Sequence, residues 1–224
     1  MGGVQDTINL DANAKAQKPR EAAVADSLLA TCAPSLGLAS DASGRAVFFE
    51  ELLNVKTDQS MLLAFATRDL LRQDYKEEVM ALRAAPGCAE GSEGDGAGGE
   101  GGGGTVATVG VGSVTVPLPT LIARQPISEL QAQCAAYAAE RSLDVLILMA
   151  VDLEARQRYL LLHCADASLR ARALAAMEAG DVRLAPLDGE AEEAAEGEAA
   201  VQRAYTIGNY KTSRKVLMPL LRAM

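Results

Sequence analysis

Three short clusters carry the side chains most able to do chemistry. Ser213-Arg214-Lys215 stands six residues after a predicted strand and directly before Leu217-Met218-Pro219-Leu220. Asp74-Tyr75-Lys76 follows a short predicted helix, and Asp6-Thr7-Ile8-Asn9 lies near the first residue. Arginine offers a planar fork that fits two oxygens of a phosphate, and lysine adds a compact point charge. Placed together at a loop-to-helix junction, Arg214 and Lys215 can both reach one polyanion. The helix N-terminus behind them adds unpaired N–H groups and the positive end of a dipole. Spacing alone leaves a plainer reading open, a pair of surface bases. Basic residues early in a helix oppose the dipole, however, and that favours a ligand requiring them there. Lys76 beside Asp74 reads equally as a surface ion pair, and Asp6 alone is weaker still.

The elements that must position these clusters follow from periodicity. Residues 20–31 and 45–56 read as helices. Ser43 is the expected cap of the second, and Val47, Phe48, Leu52 and Val55 recur at helical spacing. Residues 66–73 read as a short helix capped by Thr67, with Leu70 and Leu71 facing inward. Residues 105–116 are β-branched and glycine-punctuated, as in a strand. Their valines shift phase between 109/111 and 114/116, which predicts a bulge near Gly112 and Ser113. Pro126 opens a helix reaching Arg141. The apolar run 143–151 predicts a strand buried on both faces, with 159–163 as its partner. A helix over 168–178 ending at Gly180, strands over 182–187 and 201–207, and a helix over 215–222 complete the chain. Alternating strands and helices imply an α/β domain, a mixed β-sheet flanked by helices.

The net charge of −9 is concentrated in two low-complexity acidic inserts, 86–104 and 188–200. They hold ten of the 30 acids and no base, which leaves 20 acids against 21 bases elsewhere. Half of the 20 glycines lie between Gly87 and Gly104. That stretch lacks the phosphate-cradling G-x-x-x-x-G-K-S/T pattern and reads as a linker. No basic stripe is present, which argues against nucleic-acid binding. The longest apolar run, 145–151, is too short to span a membrane. Cys32, Cys88, Cys134 and Cys164 have no C-x-x-C spacing, and there is one histidine, so zinc is not expected. A cytoplasmic protein with free thiols is the expectation.

Read in order, these segments resemble the C-terminal part of the DHH phosphoesterase superfamily, with its second type of DHH-associated domain (DHHA-2). Family II inorganic pyrophosphatases, exopolyphosphatases and prune-like proteins carry this domain. Asp6-Thr7-Ile8-Asn9-Leu10, with Ala14-Lys15 and Lys18-Pro19, is similar to the last strand and linker of a DHH domain. Arg68 through Lys76 resembles the helix-to-strand segment of the exopolyphosphatase branch. Leu146 through Asp152 resembles the buried strand that ends in Thr-Asp, with Val151 in place of the Thr. Ser213-Arg214-Lys215 with Pro219 resembles the C-terminal signature, with Val216 in place of a second Lys.

The resemblance implies residues 1–19 as the end of a DHH domain and 20–224 as a DHHA-2-like substrate-binding domain. It implies that Lys76, Arg214 and Lys215 hold the phosphates of pyrophosphate or polyphosphate. Asp6 would be one ligand of a Mn²⁺ or Mg²⁺ centre that activates water for hydrolysis of the anhydride. The Asp-His-His motif itself is absent from this sequence, and His163 lies in an apolar run that reads as structural. One carboxylate cannot hold a dinuclear centre. The remaining ligands would come from an N-terminal DHH domain, in the same protein or in trans. Alternatively, the chain is a module that binds polyphosphate or a protein without turnover.

Overall fold

The computed structural model describes residues 19–82, 105–187 and 202–224. Asp6, Cys88 and both acidic inserts lie outside them. The chain divides into two compact units, Met1–Met61 and Leu62–Met224.

In the first unit, α1 (Pro19–Leu36) and α2 (Ala42–Thr57) are longer than the periodicity predicts. Asp41, not Ser43, caps α2. Its carboxylate accepts from the Ser43 and Gly44 N–H groups, at 2.9 and 3.2 Å. A carboxylate opposite the helix dipole is a stronger cap than a hydroxyl one turn inside it. Asp26 and Arg45 join the two helices by an ion pair. A short helix, α3 (Gln59–Leu63), follows.

The second unit is built on one six-stranded sheet. Its strands are β1 (Tyr75–Ala81), β2 (Val106–Val114), β3 (Val145–Asp152), β4 (Gln157–His163), β5 (Leu184–Pro186) and β6 (Gln202–Ile207), in the spatial order β1-β2-β3-β4-β6-β5. Only β2 and β3 run parallel, and the other neighbours are antiparallel. The parallel pair needs a crossover, supplied by α5 (Leu118–Arg124) and α6 (Ile127–Arg141). Residues 145–151 are all buried, as a two-sided strand requires.

Helices cover both faces. Leu70 and Leu71 of α4 (Thr67–Gln73), Leu118 and Leu121 of α5, and Leu130 of α6 pack on one face against Leu146, Leu148 and Leu161. Leu169, Ala173 and Met177 of α7 (Ala167–Ala179) and Leu217 and Leu221 of α8 (Arg214–Leu221) pack on the other. Each fully buried Leu, Ile or Val contributes about 1.5–3 kcal/mol. The apolar positions therefore set which face each helix takes.

Two expectations are corrected here. No bulge interrupts β2, whose pairing with β1 and β3 is continuous from Val106 to Val114. The valines change phase because both faces are buried: Val109 and Val111 face α7 and α8, and Val114 faces the other layer. Gly112 serves a close approach, since a Cβ there would lie 2.9 Å from the Leu71 carbonyl oxygen. Thr67 does not cap α4 either. Ala66 occupies the cap position, and the buried Thr67 hydroxyl accepts from Arg124 and Gln125. Helix α5 and strand β1 were not predicted from periodicity. The first is about two turns long and contains Pro119, and the second is too charged to alternate.

Candidate functional site

The C-terminal ends of β2 and β3 and the starts of β1 and β4 lie at one end of the sheet, as the registers require. In α/β sheets, ligands bind at the carboxyl ends of parallel strands. Helix α8 begins at this same end, after β6.

Ser213 precedes α8 in an extended conformation, and its hydroxyl makes no capping bond. The first-turn N–H groups of a helix have no partners within it. Leu217, Met218 and Leu221 are buried, which seats the helix on the sheet and fixes the direction of its N-terminus. Arg214 is the first helical residue. Its side chain is only 15% exposed, and Nη2 lies 2.7 Å from Oδ1 of Asp74. Among the described residues its Nη1 is buried without a hydrogen-bond partner, and so is the hydroxyl of Thr212, a residue 1% exposed. A buried guanidinium nitrogen left unpaired costs free energy. An incoming anion is the natural acceptor for it.

Lys76 lies two residues beyond Asp74 on β1, and it is exposed. Its strand neighbour on the same face, Glu78, is bound by Arg222 at 2.7 and 2.8 Å. Side chains alternate along a strand, so Lys76 lies on the face that carries α8. Lys215 is exposed at the first turn of α8. Arg214 is thus tied to the start of β1, the strand that bears Lys76, and Lys215 adjoins it in sequence. Asp6 lies outside the described residues. His163 ends β4 with its Nδ1 buried and unpartnered, and burial holds its pKa below the usual value.

Sequence reasoning passed over Arg158 and Tyr210. Arg158 is half-buried at the start of β4. Its Nε donates to the Tyr210 carbonyl at 2.7 Å, and its guanidinium lies 5.0 Å from the Tyr210 ring centroid. Arg156 approaches the same ring at 5.5 Å, from a left-handed backbone with φ 51°. Burial pulls the Arg158 pKa down, and the nearby Tyr210 acts the other way. The available signal was an arginine at the polar start of a strand whose centre is apolar.

A separate groove of about 710 Å³ lies between α4, α5 and α6. Arg124 there donates to the Leu63 and Phe65 carbonyls and to Thr67, while Gln125 donates to Gln133 and Arg68 pairs with Glu140. These polar groups are occupied with one another. Among the described residues, no group of three His, Cys, Asp or Glu side chains is placed to hold a metal ion. No helix among them is long and apolar enough to cross a membrane.

A mixed sheet between two helical layers, with Arg214 and Lys215 at a helix start beside the ends of its parallel strands, defines a mixed α/β class of protein. A family model of the DHHA2 domain matches residues 50–224, and the chain belongs to that family. The family is part of the DHH phosphoesterase superfamily, whose members are typically hydrolases. No curated protein matches the chain.

Proposed function

We propose that this chain supplies the phosphate-gripping half of a phosphoanhydride hydrolase of the exopolyphosphatase or inorganic pyrophosphatase type. The observation that carries the reading is Arg214: partly buried, held by Asp74, and with its buried Nη1 unpaired among the described residues at an uncapped helix N-terminus. Arg214 would donate from its free Nη1 to one phosphate while Asp74 holds Nη2, with Lys76 and Lys215 neutralising the rest of the polyanion. These groups bind and orient the substrate and stabilise the charge that develops as the bridging P–O bond breaks. A Mn²⁺ or Mg²⁺ centre, where bound, would supply an activated water. The described residues do not form such a centre, so the metal ligands and the attack belong to a DHH domain in the same protein or in trans.

The test is phosphate release from pyrophosphate and tripolyphosphate with Mn²⁺ or Mg²⁺, by the chain alone and with an added DHH domain, beside calorimetric binding. Arg214→Ala is expected to weaken binding roughly ten- to a hundredfold, as for the loss of a charge-assisted hydrogen bond. Binding unchanged by Arg214→Ala would sink the assignment. Binding without release in either assembly would favour the alternative, a polyphosphate-binding or interaction module of the prune-like kind.

A further inference from the structure

Residues 208–213 must deliver Arg214 to a fixed place without regular structure of their own. The start of this loop is tied to the turn before β5: the Gly208 N–H donates to the Arg183 carbonyl at 2.9 Å, and Asn209 Nδ2 donates to the Asp181 carbonyl at 3.1 Å. Arg158 holds its middle. One side chain engages both the carbonyl and the ring of Tyr210, four positions before Arg214. The next link is the Thr212 N–H, which donates to the Asn209 carbonyl at 2.9 Å and closes the turn into Ser213. Arg158 is itself anchored in β4, opposite Val151 on β3 and Ile207 on β6.

Ion pairing does not explain this arginine. It has no carboxylate partner among the described residues, and it is partly desolvated. Burying a cation without an anion is unfavourable. Among the described residues, its one side-chain hydrogen bond goes to the main chain of the loop, so its geometry serves to hold that loop.

We propose that Arg158 is a positioning residue for the anion grip, fixing the β6–α8 loop through Tyr210 so that Arg214 and the N-terminus of α8 meet a phosphate in place. This rests on the reading that Arg214 holds phosphate.

The experiment uses the full chain and the variants Arg158→Met, Arg158→Lys, Tyr210→Leu and Arg214→Ala. It measures hydrogen exchange over 208–216 and calorimetric binding of inorganic pyrophosphate with Mg²⁺ at low and raised salt. Arg158→Met is expected to speed exchange in that segment and to weaken pyrophosphate binding about tenfold. Arg158→Lys, which keeps a donor for the Tyr210 carbonyl, recovers most of the affinity. The wild-type-to-Met ratio holds as salt rises, because a partly buried hydrogen bond is screened much less than an exposed charge pair. Tyr210→Leu keeps the carbonyl but loses the ring, and shows a smaller effect in the same direction. It decides the matter should Arg158→Met not fold. Unchanged exchange, unchanged affinity, or a ratio that collapses with salt would overturn the positioning role. Pyrophosphate binding that is absent in the wild type, or equal in Arg214→Ala, would instead remove the phosphate reading beneath it.

Discussion

Nη2 of Arg214 lies 2.7 Å from Oδ1 of Asp74, joining the first residue of α8 to the residue just before β1. A second pair, Arg222 with Glu78, joins the other end of the helix to the middle of the same strand. The two spans match. Eight helical residues rise about 12 Å, and four strand residues from Asp74 to Glu78 extend about 13 Å. Helix α8 therefore runs alongside β1 in the same direction, fastened near each end.

The outer fastening is a surface contact, and its effect should be small. Glu78→Gln is expected to lower the melting temperature less than the glycine substitution described next, since exposed pairs contribute little. Arg222 holds the Glu78 carboxyl below its ordinary range, chiefly by hydrogen bonding. Its contribution is therefore present above the unfolded carboxylate pKa and is lost as pH falls through the folded value. Melting curves of both proteins across acid pH should converge at the low end.

Gly112→Ala should be the costlier change. The added Cβ would meet the Leu71 carbonyl oxygen at 2.9 Å, and Leu71 is a buried residue of α4. Overpacking of this kind costs about 1–3 kcal/mol. Urea unfolding would show it as a lower midpoint at constant slope. An unchanged midpoint would mean that α4 shifts freely on the sheet.

His163 is the only histidine, so its titration should be visible alone in the stability profile. Burial lowers its pKa, and the unfolded chain therefore binds the proton more tightly. Stability is full above about pH 6.5, the unfolded value, and is lost as pH falls through the lower folded value. His163→Leu should flatten that slope and raise the urea midpoint at the acid end. A slope that survives the substitution would place its origin elsewhere.

The thiols divide by burial. Desolvation pushes Cys134 up to about 12 and Cys164 up to about 11, and the Cys164 thiol donates to the Asp166 carbonyl. Neither should react with a thiol reagent in the native protein at mildly alkaline pH, and both should react in guanidinium. Mass spectrometry of the labelled peptides would decide. Native labelling of Cys134 would contradict its burial on the inner face of α6.

The buried strand over 145–152 and the helices over 127–141 and 167–179 were legible because long apolar periods admit few readings. Strand β1 was not, because Lys76, Glu77 and Glu78 interrupt any alternation at an edge of the sheet. Helix α5 was hidden by its brevity. The bulge expected at Gly112 was a misreading of two-faced burial, which only the partner layers reveal. Of the candidate site, the residue types at 74–76 and 213–215 were visible, but the contact between Asp74 and Arg214 joins segments far apart in sequence. Arg158 carried almost no local signal, because its partner is a main-chain carbonyl in a loop.

Fastening α8 to β1 at two points also governs how its charges behave as a set. Lys76 rides on the strand between Asp74 and Glu78, while Arg214 and Lys215 ride on the helix those acids secure. The intervals between strand and helix are set by backbone geometry, not by the reach of free side chains. The three cations thus form a fixed gauge. On the proposed function, a phosphate ligand would have to match that interval, and a motion toward a DHH domain would carry the whole gauge as one piece.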